Sequence, residues 1–425
     1  MAVNINECKG VLNKCGVFMR PEDGMIYTRN LSIMTYSLLS IGKKCELIQA
    51  LNFISKRQIL TSEIYFDGFS NSDIYGRVPI LIIPNKLEWL IKTITKDWYV
   101  KLRKYVCDNC AELCYELPTR HSIWNMDSIM KFYYSLEAFS QRVLSKTGDT
   151  ITQPLELISL FNGKLDNITP ITRDSEIHFI QIILKIFNHT GDKSFLSEMM
   201  PYLVRALVYI FTNLRDSTDF LVKGGDWRNI PGTYNSKVLS NNCQWAHTLQ
   251  LLNKYMNNLI KCGFTQAIID YDIKGVLKNV KWLTELELVI SSIQFKFFTQ
   301  KPFPIDYDDI LNDPLGSSLS VIYNIALPHH YNMILGGLYN LHSSNDKCGI
   351  GIAVEKNGCK NTLWPHIQCY CILALRKMGY NDFARKQLEK IGGLYEYYVL
   401  DGDTIKNDGE IKSGCAAALL LEVLC

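Results

Sequence analysis

HFIQIILKIFNHTGDKSFLSEMMPYLVRALVYIF, residues 178–211, places apolar side chains three and four apart over a window far longer than a strand, and that is the period of a helix. The stretch HTGD interrupts the pattern, and Asp192 or Ser194 stands ready to cap a second helix beyond it. Two helices joined by so short a break form a helical hairpin.

The same grammar recurs outward in both directions. LSIMTYSLLSI, residues 31–41, stops at Gly42, and a second helical segment covers 44–57. Further helical territory is expected at 86–117, 125–146, 174–214, 238–262, 265–300 and 410–424, and 363–391 reads as another pair broken at Gly379. The pairs number about six. No internal sequence repeat marks a TPR or HEAT solenoid, and no Pro/Gly/Ser-rich linker divides the chain, so a single domain over 1–425 is expected. The fold class is all-α, six hairpins forming an (α/α)6 toroid rather than an open bundle. Its long loops rich in Gly, Asp, Trp and Asn hold more aromatic and acidic side chains than solvated connectors need.

Composition narrows the function. With 47% hydrophobic and 20% charged residues the chain has ample material for a large core and too little charge for disorder. A formal net charge of +3 with scattered Lys and Arg gives no footprint for nucleic acid or an anionic membrane. Residues 1–15, MAVNINECKGVLNKC, lack a basic stretch followed by an apolar one, so a cytoplasmic location is expected, and most of the 14 cysteines should be reduced and buried. CDNCAELC (Cys107, Cys110, Cys114) could offer thiolates to a metal but has no obvious fourth ligand, and on a helix Cys110 and Cys114 share an apolar face. There is no phosphate-cradling Gly loop, HExxH or GxSxG.

Two loops carry the chemistry. LVKGGDWRNIPGTYNSKVLSNNCQWAHTLQLL, residues 221–252, sets Asp226 beside Trp227, a carboxylate next to a flat apolar face on which a pyranose ring can stack. KIGGLYEYYVLDGDTIKNDGEIKSGCAAALLL, residues 390–421, surrounds Glu396 with Tyr395, Tyr397 and Tyr398, which can tune or orient a carboxyl. The small residues opening SGCAAALLLEVL allow close approach to a neighbouring helix. The alternative for Asp226 is a helix or turn cap with Trp227 in the core, and for Glu396 an exposed acid beside surface tyrosines. Inverting glycoside hydrolysis needs an acid for the leaving oxygen and a base for water, roughly 6.5–9.5 Å apart, and Asp226 and Glu396 are candidates for these roles.

GGDWRN, VLSNNCQW, NTLWPHIQCYCILALRKMGYNDFA, GGLYEYY and SGCAAALLLEVL, in that order, together resemble the six-hairpin glycosidases, especially the amylo-α-1,6-glucosidase (glycogen debranching) type and the neutral invertases. IYTRNLSIMTYSLLSIGK is similar to the segment that opens their toroid, and TRDSEIHFIQIILKIFNHTGDKSFL to their Asp-containing helix and TGD turn. The resemblance runs from about residue 25 to the C-terminus. It implies Asp226 as general acid, Glu396 as general base, and a sugar-binding subsite lined by Arg29, Arg173, Asp174, Trp227, Trp364 and Tyr395. It implies an oligosaccharide or small sugar as substrate, with no cofactor and no metal. The alternative for Arg29 and Asp174 is a structural ion pair or a helix cap, and for Trp364, before Pro365, a core anchor. The chain departs from the family at Asn30 and Asn85, where acids are usual, which leaves open a binding protein without turnover. A toroid sugar epimerase working through His247, His329, His330 or His366 is a further alternative.

Overall fold

The computed structural model describes residues 3–18, 26–56, 58, 75–76, 78, 81–82, 174–224, 237–298, 313–344, 352–353, 362–395, 398–401, 404–406 and 413–425. The helices expected at 86–117 and 125–146, with Asn85 and the cysteines at 107–114, lie outside these residues.

The hairpin that opened the sequence is present. Helix α4 (Ser175–Thr190) ends at Gly191 in the left-handed region, φ +66°, and α5 (Lys193–Tyr209) begins after Asp192, whose carboxylate accepts from the Phe195 N–H. Of the two candidate caps, Asp192 is therefore the one used. Pro201 interrupts the hydrogen bonding of α5, which closes with a π-helical turn, Ile210–Leu214. The run Lys193–Leu214 is long and apolar enough to cross a membrane, yet 61% of its most apolar window is buried here against other helices.

Among the described residues the helices preceding this hairpin are α1 (Ile5–Cys15), α2 (Thr28–Ser40) and α3 (Lys44–Ser55). Those following are α6 (Leu239–Lys261), α7 (Phe264–Tyr271), α8 (Trp282–Phe298), α9 (Pro314–Ile322), α10 (Tyr331–Ser344), α11 (Pro365–Lys377), α12 (Asn381–Glu389) and α13 (Gly414–Leu424).

Their contacts define a closed ring. Helix α2 packs on α4, α4 on α6, α6 on α9, α9 on α11, α11 on α13, and α13 returns to α2. A second layer surrounds these six: α3 lies on α2, α5 on α4, α8 on α6, α10 on α9, α12 on α11 and α1 on α13. Inner and outer helices alternate along the chain, as an (α/α)6 toroid requires, with α7 a short addition beside α5 and α6. Because each inner helix is followed by an outer one that packs back on it, the inner helices run in one direction. The contacts between them agree: Arg29 meets Asp174 near the start of α2 and α4, and Tyr36 meets Asn188 near their ends.

The expected hairpins at 31–57, 174–214, 238–298 and 363–391 are all found, whereas α1, α9 and α10 were not anticipated. Nearly every residue of α9 is buried, including Ser317, Ser318 and Ser320, so its sequence PLGSSLSVI shows no polar face. Short strands are the other addition. β1 (Ile26–Tyr27) pairs antiparallel with β2 (Leu81–Ile82), and β3 (Ile352–Ala353), β4 (Thr362–Leu363), β5 (Tyr398–Asp401) and β6 (Thr404–Lys406) form an antiparallel sheet in that order. Strands of two to four residues are too short for a period of two to register in sequence. The described cysteines are mostly buried.

Closure of the ring depends on small side chains. At Gly414 a Cβ would fall 2.7 Å from Met34 Sδ on α2 and 3.4 Å from Cys15 Cβ on α1. Ser37 then donates its hydroxyl to the Ala418 carbonyl at 3.0 Å, a contact possible only because Ala416, Ala417 and Ala418 hold the backbones close. Gly414→Val should lower stability by about 1–3 kcal/mol through overpacking. In a double-mutant cycle with Met34→Ala the two effects should be non-additive by roughly 0.5–3 kcal/mol. Thermal unfolding of the four proteins measures this, and strictly additive losses would show that the two residues do not meet.

Candidate active site

Since the inner helices are parallel, their N-termini gather at one end of the ring. Gly224 and Lys237 precede α6, and Tyr395 and Ser413 precede α13. Around the ring α6 and α13 are three positions apart, so their N-terminal ends lie on opposite sides of the mouth.

Asp174 occupies the N-cap position of α4, but its side chain makes no capping hydrogen bond. It reaches across to α2 instead, where Arg29 Nε lies 2.5 Å from Oδ2. The cap alternative is thereby replaced by an ion pair, with Asp174 2% exposed. Burial alone would favour the neutral carboxyl, but Arg29 and His178 outweigh it and hold Asp174 well below the usual carboxylate range. His178, one helical turn along α4, places Nε2 3.5 Å from the same oxygen. Burial keeps this imidazole neutral, its pKa pushed below the ordinary value. Two buried polar atoms here, Asp174 Oδ1 and His178 Nδ1, have no hydrogen-bond partner among the described residues. Burying such groups unsatisfied costs roughly 1–3 kcal/mol each.

Trp364 caps α11 through its backbone, with Pro365 at the first helical position. It is half-buried, packing against the core on one side and meeting the His366 ring edge-on at 5.6 Å. His366 is the link between Trp364 and Arg29. Desolvation first, and the guanidinium of Arg29 second, push its pKa down to about 3. Tyr395 lies beside β4, against Leu363 and edge-on to Tyr398 at 5.4 Å. The Tyr398 hydroxyl is buried without a hydrogen-bond partner among the described residues. Arg29, Asp174, Trp364 and Tyr395 thus come from four separate stretches of sequence to one end of the ring, Arg29 and Asp174 in direct contact.

Asp226, Trp227, Glu396 and Arg173 lie outside the described residues. What flanks them is described. Asn242 on α6 accepts from the Val222 N–H at 2.7 Å and donates to the Val222 carbonyl at 3.1 Å, and Asn241 donates to the Gly224 carbonyl at 3.2 Å. Beyond the gap, Lys237 is gripped by Asp216 at 2.8 Å and Asp219 at 2.6 Å. The paired asparagines of VLSNNCQW are therefore loop anchors. On the other side, Ser413 N–H donates to the Leu394 carbonyl at 2.6 Å, drawing the start of α13 to the residue before Tyr395.

His178 is the site residue the sequence reading omitted; its spacing of four from Asp174 on a helical face was the available signal. Of the histidines considered for epimerase chemistry, only His366 is at this mouth. His247 stacks on Tyr323 deeper in the ring, and His329 and His330 belong to a 3-10 turn, Pro328–His330, beyond α9.

No family model and no curated protein matches the sequence. Solved structures do. A glycosidase variant in complex with glucose aligns over 99% of this chain and 95% of its own, at 9% identity and a TM-score of 0.54. The wild-type glycosidase aligns over the same shares at 10% identity and a TM-score of 0.54. The chain therefore has a toroid fold shared with glycosidases.

The low pKa of His366 makes a prediction with a definite sign. An imidazole that titrates near 6.5 when unfolded and about 3 when folded adds stability above pH 6.5 that is lost as the pH falls toward 3. Urea midpoints at stepped pH should decline over that window, and His366→Gln should flatten part of the decline. An identical slope in both proteins would mean that His366 protonates freely in the folded chain.

Proposed function

We propose that this protein is a glycoside hydrolase acting on an α-glucosidic or related oligosaccharide bond by inversion. The observation that carries the reading is the Arg29–Asp174 pair at the mouth of the ring, with buried acceptors on Asp174 and His178 that no described residue satisfies and with Trp364 and Tyr395 at the same end. Pyranosides present hydroxyl donors around an apolar ring face, and this mouth offers acceptors, guanidinium donors and aromatic surface. The likeness to a glycosidase that binds glucose supports the same substrate class. The amylo-α-1,6-glucosidase and invertase types remain the family models for specificity.

In this proposal Asp226 protonates the leaving oxygen and Glu396 activates water. The helices that follow them, α6 and α13, start on opposite sides of the ring, which supports roles on opposite faces of the sugar. Arg29, Arg173 and Asp174 hold hydroxyls, while Trp227, Trp364 and Tyr395 carry the ring. General acid and base suffice, and neither cofactor nor metal takes part. Asn30 stands where the resembling families carry an acid; here the carboxylate partner of Arg29 is Asp174 on α4, so the arginine is oriented without it.

A second reading, a toroid sugar epimerase, has one observation in its favour: His178 and His366 both lie near Arg29. Both titrate below the ordinary histidine value, which suits them poorly to abstracting protons at neutral pH.

Turnover of maltose, isomaltose, trehalose, sucrose and malto-oligosaccharides, followed by NMR, tests the proposal. Wild type should release an inverted anomer first. Asp226→Asn and Glu396→Gln should each lower kcat by about 10²–10⁴-fold, with glucose affinity changed only slightly. Retained turnover in both variants would refute the assigned roles, binding without turnover would point to a sugar-binding protein, and a new epimer without hydrolysis would establish the second reading.

A further inference from the structure

The opposite end of the ring holds a second set of polar side chains that the proposed reaction does not use. Each inner helix supplies one: Tyr36, Lys185, His247, Tyr370 and Glu422 from α2, α4, α6, α11 and α13, and Tyr323 just past the end of α9. They lie at comparable depth, roughly 8–15 Å from the N-terminal ends at 1.5 Å per residue.

These groups form one cluster. Lys185 Nζ donates to the Ser32 carbonyl at 2.8 Å and sits 5.7 Å from the centre of the Tyr36 ring. Asn188 donates to the Tyr36 hydroxyl at 3.2 Å and accepts from that of Tyr255. His247 and Tyr323 stack face to face at 3.9 Å, and the Tyr323 hydroxyl donates to Gln244 at 3.3 Å. Glu422 lies in the electrostatic field of Lys185, Tyr36, Tyr323 and Tyr370 together. Its carboxylate has no hydrogen bond or ion pair among the described residues and remains open to solvent. Tyr36, Lys185, His247 and Tyr323 are half-buried, which gives the cluster a wetted inner surface.

Buried polar groups of α2, α4 and α6 lie beside the cluster. Gln181 donates to Gln244 Oε1 at 3.0 Å and to Thr248 at 3.1 Å, and Ser32 donates to Gln181 at 3.4 Å. Gln181 is 1% exposed and Thr248 0%.

We propose that the C-terminal end of the ring is a second binding site, for a small neutral polyhydroxylated molecule such as a monosaccharide. The cluster contains one cation, Lys185, and one carboxylate, Glu422, so its charges balance. Phenol faces offer apolar contact, while Glu422 accepts and Lys185 donates to hydroxyls.

The test uses the full chain with glucose as probe, by calorimetry and saturation-transfer NMR. Two independent binding events should appear. Glu422→Gln and Lys185→Met should each weaken one of them about tenfold, the loss of one hydrogen bond to a charged group, and leave the other and any turnover intact. Arg29→Ala should remove only the event at the mouth. Glu422→Gln changes no volume at an exposed position, and unfolding curves verify that both variants fold. Glucose binding unaffected by either substitution, or no binding sensitive to them at any accessible concentration, overturns the proposal. A single event that responds to Glu422→Gln and not to Arg29→Ala would uphold this site and count against sugar binding at the mouth.

Discussion

Everything distinctive in this molecule depends on the close approach of α13 to α2. These helices belong to opposite ends of the chain, and their contact turns a row of hairpins into a ring. Gly414 and the three alanines that follow it contribute almost no side-chain volume, so Met34 and Ser37 can lie against the α13 backbone. Closure leaves no terminal hairpin with an unpaired apolar face, the problem that open helical arrays meet with polar capping repeats. Larger side chains at this seam would leave the apolar flanks of α2 and α13 facing water.

Closure also sets the electrostatics. Parallel inner helices direct their N-terminal partial positive charges toward one mouth. That field favours a carboxylate such as Asp174, while burial first and Arg29 second oppose protonation of His366. An arginine at the same end is disfavoured by the field, so its pairing with Asp174 is what keeps Arg29 in place. The other end collects helix C-termini, and there cations turn to carbonyls: Lys377 to Ile322 and Arg376 to Val423. The two ends of one ring thus have opposite polarity by construction.

How far the sequence revealed this varies with the physical signal. Hairpins such as 174–214 were legible because the apolar period is long and the turn chemistry at Gly191 and Asp192 is local. Helix α9 was not, since a short helix buried on every side has no polar face to mark it. The small residues at 414–418 were visible as a site of close packing, but not the identity of the partner, which lies nearly four hundred residues away in the chain. At the site, Arg29, Asp174 and Trp364 stood out as residue types. Their pairing, and the part of His178, required knowledge of which helix neighbours which. The roles of Asp226 and Glu396 rest on the resemblance and on the loops that hold them.

The most direct test of the account is a crystal of the full chain soaked in glucose. The account predicts a pyranose at the N-terminal mouth of the ring, with one hydroxyl on Asp174 Oδ1, a guanidinium contact from Arg29 and the ring plane near Trp364. A mouth that stays free of sugar at saturating glucose, with Asp174 Oδ1 and His178 Nδ1 satisfied by protein groups, would contradict it.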